Sequence, residues 1–181
     1  MPAPGRAPRS RSFGYAPSMA ERGSVEHIHL ATAAGEPMRS VRSVRAIPAR
    51  GLEGDRYATG SGHWSPIRRA GDSLTLIEAE EIEGVVVAHG LDLRPGSTRR
   101  NLTTRGIRLD ELIGRRFRIG AVVCRGTRRC EPCSYLDQLL DQEVLNALVH
   151  RGGLRAEIVS GGTIAVGDPI EPVEEAPAPA P

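Results

Sequence analysis

Short alternating apolar runs, broken every few residues by glycine or proline, constrain this chain more than any other feature. "SVEHIHLAT" (Ser24 to Thr32) alternates at strand period, with Val25, Ile28 and Leu30 apolar and a slip of phase at His27. "SLTLIEAEEIEGVVVAHG" starts as a strand at Leu74 and turns helical, with His89 and Gly90 marking the helix end. "GLRAEIVSGGTIAVGDPI" reads as two strands joined at "SGG", with Pro169 ending regular pairing. The regular strand and long-helix alternation of a doubly wound sheet is missing. The expected fold is therefore mostly β, a closed or partly closed β-barrel with a few short helices, because closure protects edges that short strands expose.

Between these landmarks the pattern predicts a short strand around Arg100 to Thr103, a helical turn around Leu109 to Ile113 and one strand from Phe117 to Cys124. "SYLDQLLDQEVLNALVHRGG" is helical with a break near Asp141. Ser134 with Asp137 three positions later resembles an acidic capping box, which places Cys133 immediately before a helix.

At 181 residues the chain suits one domain plus tails. Residues 1–23 read as a disordered N-terminal extension, 24–171 as the domain and 172–181 as a disordered tail with no apolar load to bury. The basic, acid-free start also fits an organellar transit segment, and Met19, just ahead of the first strand, is an alternative start. It lacks the apolar stretch of a secretory signal, and no run approaches the roughly eighteen apolar residues of a membrane helix, so cytoplasmic localisation is the expectation.

All 24 basic residues are arginines. Without lysine the chain alone cannot supply a P-loop lysine, a lysine general base or an internal aldimine to pyridoxal phosphate. Arginine favours planar, two-pronged contacts with phosphate or carboxylate. A net charge of +2 gives no reason to expect nucleic acid.

Every cysteine lies in "CRGTRRCEPC", Cys124 to Cys133. Three chemistries stay open. Cys124, Cys130 and Cys133, completed by His150 or a carboxylate, can be read as a structural zinc site, although the second half-site spacing is missing and Cys124 falls in a strand. "CEPC" has the gap of a redox dithiol without the usual βαβ surroundings. Cys133 alone, ahead of a helix and near Arg128 and Arg129, is placed to be a thiolate that carries sulfur or ligates a soft metal. The plain alternative is inert thiols in a non-catalytic binding domain.

Other candidates sit in turns. In "GLEGDRYATGSG", Gly51 and Gly54 permit close backbone approach, and Asp55 can orient Arg56 toward an anion. Arg99, Arg100 and Asn101 open a strand, and Arg151 and Arg155 bracket "GGL". His27 and His29 share a strand face, His63 beside Trp64 is suited to a loop pocket, and His150 ends a helix.

The segments "GLEGDRY", "RRNLTTRGIRLDELIGRRFRIGAVV", "CEPC" and "HRGGLRAEIVSGGTIAVGDPI", in this order and spacing, resemble the MOSC domain family, named for the C-terminal domain of molybdenum cofactor sulfurases and found also as stand-alone bacterial proteins. The resemblance spans about Val25 to Glu171 and implies a barrel-like fold that handles sulfur or binds a molybdopterin-type molybdenum cofactor. It implies that Cys133 receives sulfur as a persulfide or contacts the metal, and that Asp55, Arg56, Arg99, Asn101 and Arg155 bind the anionic cofactor. As partners it implies a separate cysteine desulfurase and a redox partner; as a second activity, molybdenum-dependent reduction of N-hydroxylated compounds. The family's pyridoxal phosphate association belongs to fused desulfurases, for which this chain has no lysine. Tyr57 stands where many relatives have histidine, and Cys130 is an added thiol that can close a disulfide with a persulfidated Cys133.

Overall fold

The computed structural model describes residues 22–67, 69 and 71–173. The expected N-terminal extension lies outside the described residues up to residue 21, and the tail from residue 174 onward does too.

In chain order the strands are β1 (Gly23–Leu30), β2 (Arg39–Val41), β3 (Ser43–Ile47), β4 (Gly51–Leu52), β5 (Leu74–Glu78), β6 (Leu102–Arg105), β7 (Arg116–Ile119), β8 (Val122–Arg129), β9 (Leu154–Ser160), β10 (Gly162–Ala165) and β11 (Pro169–Pro172). The helices are α1 (Arg56–Thr59), α2 (Ala79–His89), α3 (Ser134–Leu140) and α4 (Val144–Leu148). Seven strands close into a barrel in the order β11-β7-β8-β9-β5-β6-β1, where β1 returns to β11 through Gly23 opposite Ile170 and Ser24 opposite Pro169. β2 extends the sheet beyond β1, and β10-β3-β4 form a separate small sheet. β5 and β6 are parallel, which demands a crossover, and α2 supplies it.

Alternation along β5 explains how the layers form. Leu74 and Leu76 point into the barrel core with Ile28, Leu102, Phe117, Leu154, Ala156 and Ile158. Ile77, on the opposite face, packs with Ile82 and Val85 of α2, Leu136 of α3 and Val144 and Leu148 of α4. The strand is therefore buried on both faces, and the helices cover one part of the barrel's outside. Burying a residue such as Leu76 or Ile77 contributes about 2 kcal/mol. The phase slip at His27 is a real bulge: the β1–β6 register shifts between Val25 and His27.

Three local expectations are corrected. The run from Phe117 to Cys124 is two antiparallel strands, because Gly120 and Ala121 turn the chain while the Gly120 amide donates to Pro169 O at 2.9 Å. β9 and β10 do not pair with each other: β9 lies in the barrel and β10 pairs with β3, while Pro169 begins β11 instead of ending pairing. The capping box at Ser134 is absent. Cys133 is the N-cap of α3 without a side-chain bond, and Asp137 Oδ1 instead accepts from the amides of Val144 (2.9 Å) and Leu145 (2.7 Å), tying the start of α4 to α3.

Candidate functional site

Register places the site. Thr75 lies opposite Arg155, flanked along both strands by residues that face the core, so both side chains point outward from the barrel wall. Over this patch of wall fold α1 with Tyr57, the loop carrying His63 and Trp64, the Arg99–Arg100 turn and the segment Cys130–Leu136. The result is a roofed cleft enclosing about 750 Å³, its open mouth included. Arg56, Arg99, Arg155 and Cys133 all line it, as do Arg100 and Cys130.

Asp55 and Asn101 stand behind the lining. Asp55 is 1% exposed and caps α1, accepting from the Tyr57 amide at 3.0 Å through Oδ1. Its Oδ2 accepts from the Ala31 amide and from Arg56 Nη1, each at 3.2 Å. Asn101 holds β5 against the end of β1: its Oδ1 accepts from Thr75 Oγ1 at 2.9 Å and its Nδ2 donates to His29 O at 3.4 Å.

The arginines divide by what they already hold. Arg56, expected to grip an anion with both prongs, spends them inside the protein: Nη1 on Asp55 and Met38 Sδ, Nη2 on Arg99 O at 2.9 Å. Arg100 is a staple, donating to Gly152 O and Cys130 O at 2.7 Å and to Thr98 O at 3.0 Å. Arg99 gives Nη1 to Glu36 O at 2.7 Å, but among the described residues its buried Nη2 has no partner, and neither has the buried Arg155 Nε. Burial, with the Arg56 charge second, holds the Arg99 pKa below the usual arginine value. Burial also opposes the charge on Arg155, but the acidic groups Cys130, Tyr57 and Asp72 outweigh it and raise its pKa. Arg128 and Arg129, close to Cys133 in sequence, do not line this cleft; they pair with Asp72 and Asp110.

The cysteines also divide. Cys124 is fully buried in the barrel core, where desolvation pushes its thiol up to about 12. Cys130 is buried at the cleft wall, and Cys133 is half-buried. Among the described residues no three His, Cys, Asp or Glu side chains form a group able to hold a metal, which removes the structural zinc reading with Cys124 and His150. His150 Nδ1 instead lies 3.3 Å from Glu131 Oε1. His27 and His29 make no metal pair either: His29 is buried, with its pKa lowered by burial and then by His27, while His27 lies 3.5 Å from Glu26.

Sequence reasoning missed the aromatic wall. His63 stacks on Tyr135 with ring centroids 4.0 Å apart and meets Trp64 edge-on at 4.7 Å. His63 and Trp64 were legible as loop-pocket candidates, but no local signal announces a stacking partner more than seventy positions away.

A closed seven-stranded barrel whose outer wall is roofed into an arginine-rich cleft defines the class of this protein. The family model for the MOSC domain matches residues 69–171, more than half the chain, and the chain belongs to that family. Similar solved structures include YuaD from Bacillus subtilis, with 16% identity over 83% of this chain and 94% of that one and a TM-score of 0.69. YiiM from Geobacillus stearothermophilus gives 16% identity, 84% and 75% coverage and a TM-score of 0.66. YiiM from Escherichia coli gives 18%, 85% and 69%, and 0.59. At these identities the likeness shows the fold. A search of the curated proteins finds no match.

Proposed function

We propose that the cleft binds an anionic, molybdopterin-type molybdenum cofactor or receives sulfur on Cys133, within the general sulfur- and cofactor-related role that family membership supports. The observation that carries this reading is a half-buried thiol sharing a cleft with two buried guanidinium donors, Arg99 Nη2 and Arg155 Nε, that have no partner among the described residues. An unanswered buried donor is costly, and an anion in the cleft would answer both. The donor set fits such a group: Arg99 and Arg155 would hold its anionic end, and Cys133 supplies the soft ligand that molybdenum prefers. When bound, the cofactor would supply redox chemistry at the metal. The chain's own part is to orient it: Asp55 fixes Arg56, Arg56 fixes the Arg99 backbone, and Arg100 fixes the strand end that carries Cys130. In the sulfur-carrier form of the reading, the Cys133 sulfur, at the N-cap of α3, attacks the outer sulfur of a persulfide on a separate cysteine desulfurase, whose own cysteine leaves as a thiolate.

Anaerobic purification followed by metal analysis and intact mass tests this. Molybdenum, or a labile mass gain of one sulfur after incubation with a desulfurase, is expected in the wild type and lost in Cys133→Ala. Equal metal retention and sulfur loading in Cys133→Ala overturns the assignment.

The stacked His63–Tyr135 wall favours a second reading, molybdenum-dependent reduction of a planar N-hydroxylated compound. Turnover of such a compound by cofactor-loaded protein, weakened in Tyr135→Ala, is the outcome expected of it.

A further inference from the structure

We propose that the outer face of β7 and β8 docks a protein partner that presents a cluster of carboxylates. Arg116 and Arg118 alternate with the core residues Phe117 and Ile119, and Arg125 follows the core residue Cys124, so all three side chains point outward, where they are exposed. None of the three lines the cleft, and the inference needs neither molybdenum nor sulfur at Cys133.

Register puts Arg116 directly opposite Arg125, and like charges so placed weaken a sheet. Elsewhere the chain answers such charges: Arg105 pairs with Glu26 and Glu83, Arg108 with Glu78 and Glu81, and Arg129 with Asp110. On this face it does not. Among the described residues Arg116, Arg118 and Arg125 form no ion pair and no side-chain hydrogen bond. Glu171, across from Arg118, is taken by Arg22 at 3.6 Å. The face thus gathers three unanswered positive charges on a chain whose net charge is only +2. A counter-charge from outside would remove the repulsion that the sheet now carries.

The pattern selects the partner. Glu157 on β9 lies across from Arg125 and Glu171 on β11 across from Arg118, so acids border the arginines on both sides. A phosphate backbone or an anionic lipid surface would press like charge on both, whereas carboxylates on a folded protein can be set against the arginines alone. No aromatic ring stands among the outward residues of β7, β8, β9 and β11 to stack a base. Small apolar spots suit a protein surface too: Val159, two positions past Glu157, and Ile113, bridged to Gly126, are each 37% exposed. Arg155, which lines the cleft, stands two residues from Glu157 on the same face of β9, about 7 Å away, so a docked partner abuts the cleft wall.

The probe is a fluorescent decaglutamate peptide, titrated against the full chain by anisotropy at low salt, with a short DNA duplex and phosphatidylglycerol vesicles in parallel. The peptide is expected to bind, more tightly than the duplex or the vesicles, and to be released as salt rises. Arg116→Gln and Arg125→Gln should each weaken peptide binding by about threefold, and the double variant by about tenfold, as exposed charge pairs imply. Arg94→Gln, which removes a charge already paired with Asp92, should leave it unchanged. Because Arg116 and Arg125 repel each other, each single variant should keep or raise the urea midpoint, which separates lost binding from lost folding. No peptide binding, wild-type affinity in the double variant, or a lowered midpoint in both single variants overturns the proposal. Equal or tighter binding of the duplex or the vesicles through the same arginines overturns it as well, in favour of a phosphate-bearing partner.

Discussion

Arg56 donates through Nη2 to the backbone carbonyl of Arg99 at 2.9 Å, so one arginine of the cleft sets the backbone of another forty-three residues away. Arg99 sits at φ 59°, a left-handed conformation that a side chain adopts only when its surroundings compel it. The chain of support runs from Asp55 through Arg56 to Arg99, and it starts at a buried carboxylate with three donors.

Replacing Asp55 with alanine should therefore cost more than an ordinary helix cap. It strips the Tyr57 and Ala31 amides of their acceptor and leaves the buried Arg56 charge uncompensated, for an expected loss of about 3 kcal/mol or more by urea denaturation. Asp55→Asn, which keeps an acceptor for the cap, should lose less.

Arg100→Lys tests the staple. An ammonium cannot reach the carbonyls of Thr98, Cys130 and Gly152 with the planar fork that now serves all three. An expected loss of about 2 kcal/mol should come with faster alkylation of Cys130, since its strand end is no longer pinned. Unaltered stability and alkylation would show that the three bonds contribute nothing net.

The core thiol gives a pH prediction. Cys124 has its folded value near 12, against an ordinary 9.0, because burial disfavours the thiolate. The folded state then holds the proton between these values while the unfolded state releases it, so its stabilising effect is complete below pH 9.0 and is lost as pH rises toward 12. Denaturation midpoints should fall across that alkaline window in the wild type, and the fall should shrink in Cys124→Val. A parallel fall in both proteins would mean that Cys124 does not titrate with unfolding.

Gly152 and Gly153 explain why "RGGL" precedes β9. A Cβ at Gly153 would lie 1.9 Å from Leu76 O, at φ 92°, and one at Gly152 would lie 2.3 Å from Cys130 O. Only without side chains can this turn slip between β5 and the Cys130 segment. Gly153→Ala is expected to cost more than about 3 kcal/mol, or to abolish soluble expression, combining backbone strain with a backbone clash. Gly54→Ala, where φ is 74° but nothing lies within 4 Å, should cost only about 1 kcal/mol, and a similar loss at both sites would contradict the packing argument.

The sequence alone determined the inward and outward faces. Leu74, Leu76, Leu154 and Ala156 alternate with Thr75 and Arg155, so the core and its outer wall were readable from period-two spacing, and even the bulge showed as the slip at His27. Helix ends at His89 and near Asp141 were legible because Gly90 and Asp141 are left-handed caps. The single strand read from Phe117 to Cys124 failed because Gly120 and Ala121 interrupt an apolar run too briefly to stand out. What only the tertiary structure decided is what covers each outward residue. Alternation sets Arg155 on the outside, but whether that outside is water or a cleft depends on segments folded over it from distant parts of the chain. The same holds for the partners of each arginine: Arg128 and Arg129 stand nearest Cys133 in sequence yet are drawn off by Asp72 and Asp110, while Arg99 arrives from thirty-four residues upstream. A strand's period fixes the direction of a side chain, but the desolvation and charge that turn a guanidinium into a binding group come from neighbours the local sequence does not contain.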